Sequence, residues 1–103
     1  RYLVEKGYEV LRSNYRTPYG EVDIVCEQDN RLIFCEVKMR RGVAYGRGAE
    51  AVGFTKMNRM TRSALYYITE NGIENKDIAF DIIELDENGN INHYENAFLA
   101  QDE

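Results

Sequence analysis

Asp23, Glu36 and Lys38 are the residues of this sequence whose types and spacing best fit hydrolytic chemistry. Twelve residues separate Asp23 from Glu36, and a single residue separates Glu36 from Lys38. Mg²⁺ is commonly held by one or two protein carboxylates together with waters and phosphate oxygens. A lysine ammonium is a compact positive charge that can orient an attacking water or help to deprotonate it. The three residues therefore suggest one metal-binding site with a lysine beside it.

These residues lie on two strand-like segments, 21–27 and 31–38, which flank a short polar turn at Asp29-Asn30. If Asp29 and Asn30 are the two central residues of a hairpin, the register of the strands is fixed, because a slip by one residue would mix their two faces. In this register one apolar face is formed by Val22, Ile24, Cys26, Ile33, Cys35 and Val37.

The same register places Asp23 opposite Glu36 and Glu21 opposite Lys38, at one end of the hairpin. Two carboxylates that face each other on adjacent strands repel, and a divalent cation between them removes the repulsion. The alternative is a surface cluster of ion pairs, with Glu21 bound to Lys38 and either Asp23 or Glu36 bound to nearby arginines.

Hydrophobic periodicity and turn residues predict the order α-β-β-β-α-β-β around a mixed sheet. The predicted elements are a helix end at 2–6, strands at 8–13, 21–27 and 31–38, a helix at 55–71, and strands at 78–85 and 91–95. Segment 14–20 is predicted to be a loop. Thr55 is expected to cap the long helix, Gly72 to end it, and Asn88-Gly89 to form a type I′ turn. The helix residues expected to face the core are Met57, Met60, Ala64, Leu65 and Ile68.

Composition is that of a globular protein, since 44% of the 103 residues are hydrophobic and 30% are charged. No apolar run approaches the roughly 20 residues of a membrane span. Cys26 and Cys35 are too few for a zinc site and lie in apolar strands, so we expect both to be reduced and buried. These absences favour a cytoplasmic protein without membrane association.

Positive charge is concentrated in the middle of a chain whose net charge is −5. Between Arg31 and Arg62 there are eight Lys or Arg residues and two acids, whereas the rest of the chain is strongly acidic. Local concentration of charge, not total charge, attracts a polyanion such as nucleic acid. The other interpretation is an ordinary solvated helix face and loop.

The ordered motifs of this chain resemble those of the YraN-like family, small bacterial proteins of the PD-(D/E)xK nuclease superfamily related to archaeal Holliday-junction resolvases. The resemblance extends over residues 2–98. The segments that carry it are Gly7-Tyr8 with Val10-Leu11, Asn14 with Arg16, Gly20-Glu21-Val22-Asp23, Glu36-Val37-Lys38, Lys56 with Arg59, Phe80-Asp81, and Glu95-Asn96-Ala97-Phe98.

This resemblance implies an α/β, restriction-endonuclease-like three-layer fold in which helices flank a mixed central sheet. It also implies Mg²⁺ or Mn²⁺ bound by Asp23 and Glu36, and a catalytic role for Lys38. Two features depart from the pattern. Val22 stands where the superfamily name has proline. The chain also starts too late to show the glutamate that such proteins often carry early in the first helix, for which Glu5 is a poor substitute. We expect one domain, 1–103, whose N-terminal helix is truncated.

Further candidates surround this core. Glu21 and Asp81 are candidate supporting acids, and His93 is expected to be a structural or exposed histidine. Tyr19 and Tyr45 could stack on an unpaired base or simply pack. The candidate nucleic-acid-binding residues are Arg40, Arg41, Arg47, Lys56, Arg59 and Arg62.

Three functions remain open from the sequence. The first is a metal-dependent endonuclease acting on DNA, including branched or flapped DNA in repair or recombination. The second is a catalytically inactive nucleic-acid-binding module of the same fold, and the third is an interaction protein that uses its acidic C-terminal third. Resolution of a four-way junction would need a homodimer, for which the sequence has no signature.

Overall fold

The computed structural model describes residues 2–42 and 52–101 and shows an α/β protein. The elements within these ranges follow the predicted order. They are α1 (Tyr2–Glu5), β1 (Glu9–Thr17), β2 (Gly20–Gln28), β3 (Arg31–Met39), α2 (Phe54–Asn71), β4 (Asp77–Leu85) and β5 (Ile91–Phe98).

The strands of the described ranges form one mixed sheet in the order β1-β2-β3-β4-β5. Neighbouring strands are antiparallel except for β3 and β4, which are parallel. Parallel strands need a long crossover connection, and here α2 provides it. The central strand β3 is consequently covered on both faces, which explains its nearly continuous apolar sequence.

Side chains alternate along β3 between two apolar clusters. Leu32 and Phe34 pack in a cluster with residues of α2. Ile33 and Cys35 pack in a second cluster with Leu3 of α1. Because successive side chains of a strand point to opposite faces, the two helices lie on opposite faces of the sheet. We call these the α2 face and the α1 face.

The alternation along β2 breaks at Asp23. Val22 and Val25 both pack in the α2-face cluster, whereas Ile24 packs in the α1-face cluster. The prediction that Val22 and Ile24 share one face is therefore wrong. Asn14 of the neighbouring strand has φ of +51°, outside the extended region, so the irregularity involves both strands.

The long helix differs from the prediction at its start and agrees at its end. Gly53 occupies the N-cap position without a side-chain hydrogen bond, and Thr55 lies within the first turn, so the predicted Thr55 cap is wrong. Gly72 follows the helix with φ of 59° and ψ of 40°, as expected for a glycine that ends a helix in the left-handed conformation.

The core-facing residues of α2 were only partly predicted. Met60 and Ala64 are buried, but Leu65 is 52% exposed, so its predicted core position is wrong. Tyr67 occupies the core instead, with its ring 5.9 Å from that of Phe34 in an edge-on arrangement. The two remaining predicted residues are half-buried: Met57 and Ile68.

The connections between strands lie near their predicted positions, but their lengths and turn types do not all match the predictions. Gln28 pairs with Arg31, which confirms the two-residue turn between β2 and β3. Most of the predicted loop 14–20 is strand, because the β1–β2 pairing continues to Thr17 and Gly20.

The β4–β5 hairpin is confirmed, but its turn type is wrong. Leu85 pairs with Ile91, so five residues form the connection. A type I′ turn needs positive φ at both central residues, and only Gly89 has it. The carboxylate of Asp86 instead accepts hydrogen bonds from the backbone N–H groups of Asn88 and Asn90.

Cys26 and Cys35 are free and buried, as expected. Their sulfur atoms lie 3.8 Å apart on the α1 face. In the part of the chain that the structure describes, no helix combines the length and the apolar character required to cross a membrane.

Candidate active site

Glu36 is a buried carboxylate near the end of β3, with 6% of the residue exposed. Its Oε2 atom lies 2.9 Å from Nζ of Lys56 on α2 and 3.4 Å from Nζ of Lys38. A buried charge is strongly unfavourable unless opposite charges compensate it. The two lysines provide this compensation, so Glu36, Lys38 and Lys56 form one charged cluster on the α2 face.

Asp23 lies against the backbone next to this cluster. Its Oδ2 atom accepts a hydrogen bond of 2.8 Å from the N–H of Val37, and that nitrogen belongs to the peptide bond between Glu36 and Val37. The β2–β3 pairing agrees with the predicted register as far as Ile24 and Cys35, where the ladder ends. Asp23 does not pair with Glu36 through the backbone. Instead, its carboxylate accepts the hydrogen bond from the Val37 N–H of β3.

The end of the ladder opens a cleft beside Asp23. This cleft has a volume of about 370 Å³ and is lined by Ser13, Asn14, Asp23, Ile24 and Val37. The positive φ of Asn14 and the broken alternation of β2 both occur here. The irregular backbone therefore leaves space around the Asp23 carboxylate where a regular sheet would have none.

Glu21 belongs to a second, smaller cavity on the α2 face. The cavity measures about 60 Å³ and is lined by Gly20, Glu21, Lys56, Arg59, Met60 and Ser63. Glu21 thus lies near the same lysine that binds Glu36. The structure brings together four of the sequence-predicted residues in this region: Glu21, Glu36, Lys38 and Lys56.

Asp81 is placed elsewhere. It pairs in register with Cys35 and therefore points to the α1 face, opposite to Glu36. Its Oδ2 atom lies 2.7 Å from Nε2 of His93, and Oδ1 accepts a hydrogen bond from the N–H of Asn96. His93 is a buried structural histidine, because its side chain is 6% exposed and its Nδ1 atom lies 3.1 Å from the hydroxyl of Tyr2.

Arg40 also has a different environment from the one predicted. Its Nε atom lies 3.4 Å from Oε2 of Glu84, a carboxylate with no exposed surface. The hydroxyl of Tyr94 donates a further hydrogen bond of 3.1 Å to Glu84. Arg40 therefore neutralises a buried acid. Glu84 was not singled out from the sequence. A signal was present, because Glu84 follows Phe80 and Ile82 at intervals of two residues and so shares their buried face of the strand.

The other predicted phosphate-binding residues divide into two groups. Arg59 and Arg62 continue the line of Lys56 along α2, at three-residue intervals. Arg59 is exposed and Arg62 is half-buried. Arg41 is exposed directly after β3. Arg47 and Tyr45 lie outside the described residues.

Asp23 and Glu36 could bind a divalent cation, but they offer it few protein ligands. The contacts of Asp23 and Glu36 engage one oxygen of each carboxylate, and two carboxylates with waters are a usual Mg²⁺ environment. Among residues 2–42 and 52–101, however, no group of three or more His, Cys, Asp or Glu side chains could hold a metal ion. Asp23 and Glu36 would therefore supply two ligands at most.

The chain belongs to the uncharacterised protein family UPF0102, whose family model matches residues 1–85. This is the YraN-like family to which the motifs pointed. The chain is 45% identical to a UPF0102 protein of Sulfurihydrogenibium sp. (strain YO3AOP1), over 98% of this chain and 87% of the relative. It is 41% identical to one of Clostridioides difficile (strain 630), over 94% and 86%.

Proposed function

We propose that this protein is a Mg²⁺- or Mn²⁺-dependent endonuclease with a restriction-endonuclease-like PD-(D/E)xK fold, which hydrolyses phosphodiester bonds of DNA. The supporting observation is the buried Glu36 carboxylate between Lys38 and Lys56, with Asp23 against the next peptide bond. Carboxylates on two neighbouring strands, one of them in contact with a partly exposed lysine, supply the groups that metal-assisted phosphodiester hydrolysis requires.

Asp23 and Glu36 are the residues that would hold the cation, which when bound supplies Lewis-acid polarisation of a phosphate oxygen. Lys38 keeps 28% of its side chain exposed while remaining 3.4 Å from Glu36. Its ammonium can therefore donate a hydrogen bond to the attacking water and orient it. Lys56 compensates the charge of Glu36 and holds that side chain in one position.

The DNA backbone would lie along α2 and the end of β3. Arg41, Lys56, Arg59 and Arg62 are the described basic residues of this surface, and Arg47 is added from the sequence. Lys56 binds Glu36 but keeps 37% of its side chain exposed. Arg40 is left out because only 19% of its side chain is exposed and it neutralises Glu84, which has no exposed surface. Branched or flapped DNA is the proposed substrate.

The second candidate is a DNA-binding module of the same fold without catalysis. The contact of 2.9 Å between Lys56 and Glu36 favours it, because the ammonium already compensates the carboxylate. In this alternative the basic surface binds DNA, and the charged cluster of Glu36, Lys38 and Lys56 only stabilises the fold.

A cleavage assay on labelled linear, flapped and four-way-junction DNA tests both candidates, with Mg²⁺ and Mn²⁺ in separate reactions. The informative variants are Asp23→Asn and Lys38→Met, with Lys6→Met as the control lysine on the far side of the fold. Asp23→Asn keeps an oxygen that accepts the Val37 N–H, whereas Asp23→Ala leaves it unsatisfied, at about 1–3 kcal/mol. Asp23→Asn therefore separates loss of charge from loss of folding.

We expect both informative variants to lower the cleavage rate at least about 100-fold while their melting temperatures stay near that of the wild type. Lys6→Met should cleave normally. Unchanged cleavage in Lys38→Met would exclude the assigned role of that lysine. Junction binding without cleavage by the wild type, with either metal, would favour the non-catalytic module.

A further inference from the structure

A cleft on the outer surface of α2 combines two tyrosines with an arginine. It has a volume of about 260 Å³ and is lined by Tyr19, Arg62, Leu65, Tyr66 and Thr69. We call it the Tyr19 pocket. Its volume is below the roughly 300–1,000 Å³ of pockets that bind drug-sized molecules, so it suits a smaller group.

The pocket is formed by the β1–β2 turn and by α2, which hydrogen bonds hold together. Tyr19 lies in the turn between β1 and β2, and its backbone N–H donates to Oγ1 of Thr17. The same hydroxyl lies 2.8 Å from Oγ of Ser63 on α2. These hydrogen bonds fix the turn, and with it the backbone of Tyr19, against the helix.

Two aromatic rings and a guanidinium line the pocket. Tyr19 and Tyr66 meet edge to face, with ring centres 6.5 Å apart and planes at 74°. The guanidinium of Arg62 lies 5.8 Å from the Tyr19 ring centre. Even so, 43% of Tyr19 and 52% of Leu65 remain exposed to water. A planar aromatic ligand could cover this surface by stacking, and Arg62 adds a positive charge next to it.

The Tyr19 pocket lies at the end of a row of basic residues on α2. The first residue of this row, Lys56, contacts Glu36. Along α2, Lys56, Arg59, Arg62 and Tyr66 follow each other at intervals of three or four residues, so each neighbours the next in a row that turns gradually around the helix. At 1.5 Å per residue, Tyr66 lies about 15 Å from Lys56 along the helix axis. This distance corresponds to about four steps of a duplex strand at 3.4 Å each, and to fewer steps of an extended single strand.

We propose that the Tyr19 pocket binds an unpaired nucleobase of the DNA substrate, a few nucleotides from the phosphate at Glu36. The inference rests on the proposed function and specifies its substrate. A base within a duplex is covered on both faces by its neighbours, so an aromatic side chain can stack only on an unpaired or terminal base. The pocket therefore selects DNA with a single-stranded segment over continuous duplex.

The test is a binding measurement without divalent metal, so that cleavage does not interfere. A flapped DNA carries 2-aminopurine at one unpaired position, and a duplex of the same sequence serves for comparison. Affinity is measured by fluorescence anisotropy at about 50 mM salt, and stacking by the change in 2-aminopurine fluorescence. The variants are Tyr19→Ala, Tyr19→Phe, which keeps the ring, and Leu99→Ala, which removes an exposed apolar side chain elsewhere.

Stacking of one base predicts that Tyr19→Ala weakens flap binding about five-fold or more and abolishes the fluorescence change. Duplex binding should stay within about two-fold of the wild type, since no base is available to stack. Tyr19→Phe and Leu99→Ala should behave like the wild type. Equal flap affinity for Tyr19→Ala and wild type would overturn the proposal, as would an equal loss in Tyr19→Phe.

The same variants in the cleavage assay separate this proposal from the proposed function. If the wild type cleaves DNA and Tyr19→Ala cleaves flap and duplex in an unchanged ratio, the nuclease stands and the base site is wrong. If flap binding depends on Tyr19 but no cleavage occurs, the base site stands and catalysis is wrong. If the wild type binds no DNA at low salt, both are wrong.

Discussion

Glu36 and Glu84 are two buried acids on the α2 face of neighbouring strands, and their surroundings differ. Glu84 has no exposed surface and is held by Arg40 and Tyr94, so its interactions are completed within the protein. Glu36 retains slight exposure, and its partner Lys38 is 28% exposed. The Glu36 cluster is therefore accessible to water and Glu84 is not, so the proposed chemical role falls to Glu36.

The hydroxyl of Tyr8 and the thiol of Cys35, both on the α1 face, predict that the protein loses stability at alkaline pH. Burial raises the pKa of Tyr8 from 10.0 to about 12, and the negative charges of Glu95 and Asp81 add to this effect. The hydrogen bond with Cys26 and burial both raise the pKa of the Cys35 thiol above its ordinary value of 9.0. In each case the folded state retains a proton that the unfolded chain releases.

Stability must therefore fall as pH rises, because above these ordinary pKa values the unfolded state binds fewer protons. We expect the free energy of unfolding, measured by urea denaturation under reducing conditions, to decline from about pH 9 because of Cys35. Tyr8 should add a decline between pH 10 and about 12. Tyr8→Phe should flatten the second decline, and an unchanged curve for this variant would contradict the assignment.

The candidate site residues could be named from the sequence, whereas their environment could not. Spacing and residue type were enough to single out Asp23, Glu36 and Lys38. The contact between Lys56 and Glu36 joins residues 20 positions apart, and it exists because the crossover connection returns α2 over the sheet. No local pattern reports such a contact. Nor did the pattern show that Asp23 binds the Val37 backbone.

At the scale of elements, apolar periodicity and turn residues predicted every helix and strand of the described ranges in the correct order. The errors concern places where local geometry departs from the ideal. The face of Val22 was wrong because the alternation of β2 breaks at Asp23. Leu65 was wrong because helical spacing alone does not show that Tyr67 fills the core. Both depend on tertiary packing, which no window of sequence contains.

The end of α2 gives a prediction about backbone conformation alone. Gly72 has φ of +59°, and a Cβ added there would meet no atom within 4 Å. Gly72→Ala should therefore destabilise the protein by about 1–2 kcal/mol, the cost of the left-handed conformation. Gly53 begins the same helix with φ of −77° and equally open space. Gly53→Ala should change stability by no more than about 0.5 kcal/mol.

Urea denaturation of the two variants measures the difference directly. Both substitutions add the same methyl group to the same helix, so burial and composition are matched. Equal effects at the two positions would show that the left-handed conformation of Gly72 does not contribute to stability.

At the scale of the whole molecule, the sign of the charge differs between regions. The chain carries a net charge of −5, yet the surface along α2 carries Lys56, Arg59 and Arg62. A polyanion approaching the protein is repelled by most of it and attracted by this surface. Under the proposed function, the surface of Lys56, Arg59 and Arg62 would therefore restrict the orientations in which DNA binds, because it leads from the Tyr19 pocket to Glu36.

The salt dependence of DNA binding tests whether this local charge or the total charge controls affinity. Each phosphate contact contributes about 0.9 to the slope of log K against log salt for duplex DNA, and about 0.7 for single strands. The double variant Arg59→Gln/Arg62→Gln should therefore lower the magnitude of the slope by roughly 1.4–1.8. The matched control is Lys6→Gln/Arg12→Gln, in the turn after α1 and on β1, which removes the same amount of charge away from Lys56, Arg59 and Arg62. Its slope should equal that of the wild type. If both double variants reduce the slope equally, the overall charge governs binding and α2 is not the DNA-binding surface.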